Sequence, residues 1–132
     1  MRKYVLDSYA LIAYLEKDKG YMQVIDLFEE TALQGTELLM NIINWGEVYY
    51  IILREQGYDK ADEFENNFMS FPVKIIYSDL KLIRKACDYK TFNALAFADC
   101  IAAATSHIYD APLITGDKEL KQLKREITIE WL

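Results

Sequence analysis

The sequence contains little histidine and cysteine, and it has no long uncharged apolar run. The single histidine, His107, excludes zinc sites built on clustered histidines and chemistry that needs a histidine pair. The two cysteines, Cys87 and Cys100, lie in helix-like segments without metal-ligand spacing, which indicates reduced thiols. No segment approaches the ~18 apolar residues of a membrane span, and no signal peptide is recognisable. These features predict a soluble, cytoplasmic protein with no membrane partner.

Positive charge is also scarce. The chain has 15 Lys and Arg against 21 Asp and Glu, a net charge of −6. A negative net charge argues against broad nonspecific binding to nucleic acid. It does not argue against an enzyme that combines a local basic rim with an acidic pocket for cations.

Short apolar strands alternate with helices along the 132 residues. The predicted strands cover 3–6, 37–41, 73–77, 111–115 and 126–132. The predicted helices cover 8–16, 21–34, 44–57, 59–69, 79–89 and 94–109, with a short helical piece at 116–123. This alternation is typical of a parallel sheet covered by helices on both faces. We therefore predict one domain over residues 1–132, a three-layer α/β/α sandwich around a mainly parallel five-stranded sheet.

Four carboxylates stand near the place where such a sheet binds ligands. In open α/β sheets the site lies beyond the carboxyl ends of the strands. Asp7 and Asp117 each follow a predicted strand, and Glu47 and Asp99 lie near the starts of predicted helices. All four can converge on one cleft at this edge.

Three of these carboxylates also have an ordinary structural interpretation. Asp7 and Asp117 can cap the helical segments that follow them. Glu47 can complete a capping box that begins at Asn44. Asp99 is harder to explain, because no basic residue lies within a helical turn of it. A buried unpaired carboxylate is costly, so Asp99 indicates either an open helix face or a bound cation.

The four carboxylates together predict a metal site. Without a nearby Lys or His they would repel one another strongly if they converged. Oxygen ligands of this kind suit Mg²⁺ or Mn²⁺, and such ions are typical of phosphoryl-transfer sites. The metal ligands predicted from the sequence are therefore Asp7, Glu47, Asp99 and Asp117.

Four sequence blocks share their order and spacing with a known family. They are "YVLDSYALIAYL" (4–15), "NWGEVYY" (44–50), "AFADCIAAAT" (96–105) and "APLITGDKEL" (111–120). On these blocks the chain resembles the PIN-domain ribonucleases, and specifically the VapC-type toxins of toxin–antitoxin pairs. The resemblance covers nearly the whole chain and implies metal-dependent hydrolysis of RNA phosphodiester bonds.

The resemblance also implies site residues and partners. It implies acidic ligands at the four positions named above and a polar helper at Thr115, whose hydroxyl binds a water molecule or a ligand carboxylate. It further implies a homodimer and a cognate antitoxin protein. Exposed aromatic residues would favour such association. The aromatic residues considered for it are Trp45, Tyr49, Tyr50, Phe64 and Phe68.

One position departs from the family pattern. Many relatives have a serine three residues before the third acid, where it can cap that helix, and here the residue is Ala96. Asn93 or Thr91 is expected to supply the cap instead, from slightly further back. The departure concerns the helix start and not the ligand set.

Two lysines are candidates for contact with substrate. Lys118 directly follows Asp117, and Lys85 lies on the predicted helix 79–89. The apolar face of that helix is expected to consist of Leu80, Ile83 and Cys87. The polar face that carries Lys85 has an ordinary interpretation as a solvated surface.

Other functions remain open on the sequence alone. A phosphatase of the haloacid dehalogenase type needs a second aspartate two residues after the first, where this chain has Tyr9. A housekeeping RNA-processing nuclease would carry the same acids. So would a catalytically silent module that binds metal or a partner. The near-minimal length favours a toxin that a partner controls.

Overall fold

A five-stranded sheet forms the centre of the molecule, which the computed structural model describes over residues 2–132. The strands are β1 (Lys3–Leu6), β2 (Glu37–Asn41), β3 (Lys74–Ile76), β4 (Leu113–Thr115) and β5 (Ile129–Trp131). Their order in the sheet is β3-β2-β1-β4-β5, and every neighbouring pair is parallel. The predicted fold class is confirmed, and the sheet is parallel throughout.

Helices connect the strands. They are α1 (Ser8–Glu16), α2 (Tyr21–Gln34), α3 (Ile42–Gln56), α4 (Tyr58–Phe68), α5 (Leu80–Phe92) and α6 (Phe97–Tyr109). A short 3-10 helix, Lys118–Leu123, joins β4 to β5. Over residues 2–132, no helix combines the length and the apolar character needed to cross a membrane.

The core lies on both faces of the sheet because successive strand residues point to opposite sides. On one face Val5, Leu39 and Leu113 pack against α5 and α6. On the other face Leu6 and Ile114 pack with Ala10 of α1. The remainder of that second face packs against α2, α3 and α4.

The strand order determines where the site forms. In the paired strands β1 and β4, Leu6 lies opposite Ile114, so Asp7, which directly follows β1, and Thr115, the last residue of β4, lie side by side at the carboxyl edge of the sheet. The Asp7 amide N–H donates to the Ile114 carbonyl at 3.5 Å. The two chain segments that follow β1 and β4 therefore begin at the same edge.

The start of α3 differs from the prediction. The helix begins at Ile42, and its N-cap is Asn41, whose side chain accepts from the Ile43 N–H at 2.9 Å. The predicted capping box of Asn44 and Glu47 is therefore wrong. Asn41 is fully buried and also donates to Thr105 on α6, so a tertiary contact fixes this helix start.

Helices α5 and α6 also differ from the prediction. Helix α6 begins at Phe97 with Ala96 as its N-cap residue and no side-chain cap. Asn93 and Thr91 do not cap it, because their side chains donate backward to carbonyls of α5. The buried face of α5 is not the one expected. It consists of Leu82, Ala86 and Tyr89.

Candidate active site

Asp7 lies at the junction of β1 and α1 and is almost fully buried. Its carboxylate accepts from the Ala10 N–H at 2.9 Å, so it caps α1 as the sequence suggested. Burial raises the pKa of the Asp7 carboxyl group, and a hydrogen bond with the Thr115 hydroxyl partly opposes this rise. Asp7 is therefore both a helix cap and a buried acidic group at the edge of the sheet.

Three further carboxylates meet next to Asp7. Single oxygen atoms of Asp99, Asp117 and Glu119 all lie within 4.8 Å of one another. Asp99 projects from the first turn of α6 and is half-buried. Asp117 follows β4 and caps the 3-10 helix by accepting from the Glu119 N–H at 3.0 Å. We call Asp7, Asp99, Asp117 and Glu119 the acidic cluster.

Glu47 approaches the acidic cluster from α3. Its carboxylate accepts a hydrogen bond from the Ser8 hydroxyl, which fixes Glu47 beside the start of α1. Burial and the charge of Asp117 raise the pKa of Asp99, and the charge of Glu47 acts in the same direction. Glu47 is not part of the tight group of three carboxylates. It lies at the side of the cluster that faces α1 and α3.

Burial and neighbouring negative charges disfavour the ionised forms of Asp7 and Asp99. Burial raises the pKa of Asp7 to about 7, and the charges of Asp99 and Asp117 act in the same direction. Burial also raises the pKa of Asp99 to about 7, with further contributions from Asp117 and Glu47. Within residues 2–132 the ion pairs are Arg54–Glu55 and Lys60–Glu63, neither of which involves the site.

The family of the chain follows from a comparison with protein-family models. The model of the PIN domain matches residues 4–126. The chain belongs to the PIN-domain family. A comparison with curated protein sequences gives no significant match.

Solved structures share the fold of this PIN domain. VapBC2 from Rickettsia felis, crystallised with a DNA fragment from its promoter, is 17% identical, with a TM-score of 0.77 over 98% of each chain. The sarcin–ricin loop-cleaving toxin VapC20 from Mycobacterium tuberculosis is 12% identical, with a TM-score of 0.72 over 98% of this chain and 99% of that chain. VapBC-1 from nontypeable Haemophilus influenzae is 18% identical, with a TM-score of 0.72 over 98% and 97%.

The donor set of this PIN domain fits a hard divalent cation. Carboxylate oxygens are the protein ligands that Mg²⁺ and Mn²⁺ prefer, and a cation offsets the repulsion within the cluster. Asn44 of α3 contacts the first turn of α6, the turn that carries Asp99. Its amide donates to the Ala98 carbonyl at 3.0 Å, and its buried oxygen has no hydrogen-bond partner among the described residues. A buried oxygen of this kind is usually satisfied by water or a ligand.

Three residues of this site were not predicted from the sequence. Glu119 stands two residues after Asp117, and the spacing Asp-x-Glu was the available signal. Ser8 directly follows Asp7, but nothing in the sequence connects it to Glu47. Asn44 was interpreted as a cap, whereas the structure places it one turn before Glu47 on α3 with its amide against α6.

The two lysines proposed for substrate contact differ in position. Lys118 is exposed and begins the 3-10 helix directly after Asp117. Lys85 lies on α5, where its ammonium group is 5.0 Å from the centroid of the Tyr89 ring. Lys118, unlike Lys85, directly follows a residue of the acidic cluster in the sequence.

We expect Glu119→Gln to weaken Mn²⁺ binding about tenfold, because one charged oxygen ligand is lost while the backbone contact to Asp117 remains. Isothermal titration with Mn²⁺ measures this effect. The matched control is Glu126→Gln, which removes an exposed carboxylate outside the cluster. Equal affinities in the two variants would contradict a role for Glu119.

Proposed function

We propose that this PIN domain is a metal-dependent endoribonuclease and the toxin of a toxin–antitoxin pair. The observation that carries the proposal is the convergence of Asp99, Asp117 and Glu119 next to the buried Asp7, without a basic partner among the described residues. Such a cluster is costly unless it holds a cation. Its position beyond the carboxyl ends of β1 and β4 is the usual ligand position of a parallel sheet.

The residues of the site have different roles in this proposal. Asp99, Asp117 and Glu119 hold Mg²⁺ or Mn²⁺, and Asp7 and Glu47 complete the acidic surroundings from α1 and α3. When bound, the ion polarises the phosphodiester and favours ionisation of water. The Ser8 hydroxyl orients Glu47, and Thr115 restrains both Asp7 and the Asp117 loop. Lys118 and Lys85 are proposed to contact the RNA backbone.

Structural likeness supports an antitoxin partner. Several similar structures are VapBC toxin–antitoxin assemblies, and this chain matches them over nearly its whole length. We propose that an antitoxin binds this chain, that the chain forms a homodimer, and that it acts in the cytoplasm. Of the aromatic residues considered for association, Phe64 and Phe68 are buried, whereas Tyr50 is 56% exposed and remains available.

Cleavage of RNA by the purified chain tests the proposed activity. We expect cleavage of total bacterial RNA in Mg²⁺ or Mn²⁺ and no cleavage with a chelator. Asp99→Asn is expected to lower the rate at least about a hundredfold, because the divalent ion contributes several kcal/mol to such reactions. The rate is measured by gel electrophoresis of labelled RNA fragments.

The matched control lies on the same helix as Asp99. Asp110 ends α6 at its far end, in a left-handed conformation that asparagine tolerates, so Asp110→Asn should cleave like the wild type. Metal-dependent cleavage that persists in Asp99→Asn would indicate a contaminating nuclease. Metal binding without cleavage of any RNA would favour a catalytically silent module.

A further inference from the structure

Helix α6 begins without the side-chain cap that commonly stabilises a helix start. Its N-cap residue is Ala96, and Asp99 stands in the first turn that follows. Helices α1 and α5, in contrast, are capped by the side chains of Asp7 and Asp79. The N–H groups of a first turn have no partner within the helix, so an uncapped first turn is less stable. The position of Asp99 therefore depends on contacts that other elements make with this turn.

A side chain of α3 makes such a contact. The Asn44 amide donates to the Ala98 carbonyl at 3.0 Å, and Ala98 directly precedes Asp99. Asn44 is only 1% exposed. Buried side chains are close-packed and seldom change conformation, so this bond holds the first turn of α6 at a defined distance from α3.

The same turn of α3 also carries Glu47. Asn44 and Glu47 are three residues apart, which places both on one side of the helix. Glu47 accepts from the Ser8 hydroxyl and is thereby fixed beside the start of α1. One turn of α3 thus presents one carboxylate of the site and anchors the turn of α6 that carries another, Asp99.

The burial of Asn44 is unfavourable for packing alone. Its side-chain oxygen is buried and has no hydrogen-bond partner among the described residues. An amide oxygen in this state carries a desolvation penalty, which leucine, a side chain of nearly the same shape, does not carry. The next buried residue of α3 is Val48, so this face of the helix accepts apolar side chains. A buried amide at such a position indicates a role other than stability.

We propose that Asn44 is a positioning residue for the metal site. Through its bond to the Ala98 carbonyl it fixes the first turn of α6, and so it fixes the Asp99 carboxylate relative to Glu47. This inference rests on the metal site of the proposed function and adds to that site a residue that acts through Asp99. Metal affinity depends on how accurately the ligands are held before the ion binds, so a residue that orients a ligand changes the affinity.

Hydrogen exchange of the metal-free protein, followed by NMR, tests the positioning directly. The Cys100 N–H closes the first turn of α6 by donating to the Ala96 carbonyl at 3.2 Å. In Asn44→Leu this amide is expected to exchange about tenfold faster, since a hydrogen bond that holds the turn is lost. The Ile108 amide, near the other end of the same helix, should exchange as in the wild type.

Isothermal titration with Mn²⁺ measures the consequence for the site. We expect Asn44→Leu to bind Mn²⁺ about tenfold more weakly than the wild type. Its melting temperature without metal should be equal or higher, because the buried unpaired oxygen is gone. In the Asp99→Asn background, Asn44→Leu should cause no further loss of affinity, because Asn44 acts through Asp99.

The matched control is Thr105→Val on the same helix. Thr105 is fully buried, accepts from the Asn41 amide at 3.1 Å, and stands six residues after Asp99. The variant therefore removes a buried hydrogen bond of α6 away from its first turn. It should lower the melting temperature and leave the Mn²⁺ affinity unchanged. A loss of affinity in Thr105→Val equal to that in Asn44→Leu would overturn the proposal, since any damage to α6 would then have the same effect.

The remaining outcomes separate this inference from the proposed activity. If Mn²⁺ affinity depends on Asn44 in the wild type but not in Asp99→Asn, the positioning role stands whether or not RNA is cleaved. If the wild type cleaves RNA and Asn44→Leu changes neither the Mn²⁺ affinity nor the exchange of Cys100, the ribonuclease function stands and the positioning role fails. Equal losses of affinity in both backgrounds would also overturn the role through Asp99. If the wild type does not bind Mn²⁺, both proposals fail.

Discussion

Asp7→Asn is expected to lower RNA cleavage at least about a hundredfold without loss of the fold. Asparagine and aspartate are about equally good N-caps, so the contact with the Ala10 N–H survives the change. What is lost is the negative charge beside Asp99 and Asp117. The variant therefore separates the role of Asp7 as a helix cap from its role in the acidic cluster.

Without metal, Asp7→Asn is also expected to be more stable than the wild type at about pH 8. The wild-type carboxylate is almost fully buried, and burial raises its pKa to about 7, so its ionised form is unfavourable in the folded state. The neutral amide removes this penalty. A gain in stability together with a loss of activity is the behaviour expected of a functional charge.

The chain offers a matched control in Asp79. Asp79 caps α5 as Asp7 caps α1, by accepting from the N–H of the third following residue, Leu82, at 2.9 Å. The backbone angles of the two caps are nearly the same, φ −101° and ψ −179° for Asp79 against φ −90° and ψ −177° for Asp7. Asp79 is exposed and lies outside the cluster. Asp79→Asn should therefore leave both cleavage and stability close to those of the wild type.

Two results would contradict this interpretation. Cleavage by Asp7→Asn at the wild-type rate would show that the reaction does not require the charge of Asp7. A loss of activity that parallels a lower melting temperature would show that the carboxylate acts only through the structure of α1. Melting is followed by circular dichroism for the wild type and both variants in the same buffer.

The metal-free protein is expected to lose stability as the pH rises from about 4 to about 7. Asp7 and Asp99 each have a folded-state pKa raised from 3.8 to about 7. Between these values the folded state retains protons that the unfolded state has released. The loss in the free energy of unfolding is absent below the pKa that the groups have in the unfolded state. It is complete above the pKa that they have in the folded state.

The expected loss is on the order of 4 kcal/mol in the free energy of unfolding, mostly from the buried Asp7, because Asp99 is only half-buried and water screens its charge. For a domain of this size such a loss lowers the melting temperature by roughly 10–20 °C. The two groups interact, so they titrate as a unit and not one by one.

Mg²⁺ or Mn²⁺ should reverse this trend. Metal binds the ionised carboxylates and competes with protons, so its stabilising effect is larger at about pH 8 than at about pH 5. Thermal unfolding with and without Mn²⁺ at both pH values measures the difference. In the double variant Asp7→Asn and Asp99→Asn, both the pH dependence and the effect of metal should largely disappear. An unchanged response in that variant would assign the titration to other groups.

Much of the fold was predictable from the sequence because it depends on local patterns. Short apolar runs predicted β1 and β2 with their observed bounds, and apolar periodicity predicted α1 and α2. The predicted start of α3 was wrong, because Asn41 caps it while buried against Thr105, a contact with a distant helix. The buried face of α5 was also wrong, since packing against α6 selects it and the helix's own pattern does not.

The sequence by itself determined that this chain is a parallel α/β protein and that Asp7, Glu47, Asp99 and Asp117 stand near strand ends or helix starts. Local hydrophobic periodicity and residue type are sufficient for both conclusions. Only the tertiary structure decided that β1 lies beside β4, which brings Asp7 next to Thr115 and Asp117. Only it added Glu119 to the cluster, joined Ser8 to Glu47 and placed the Asn44 amide against the first turn of α6. These contacts join residues on different elements, and their distances depend on how strands and helices pack, which no local pattern in the sequence records.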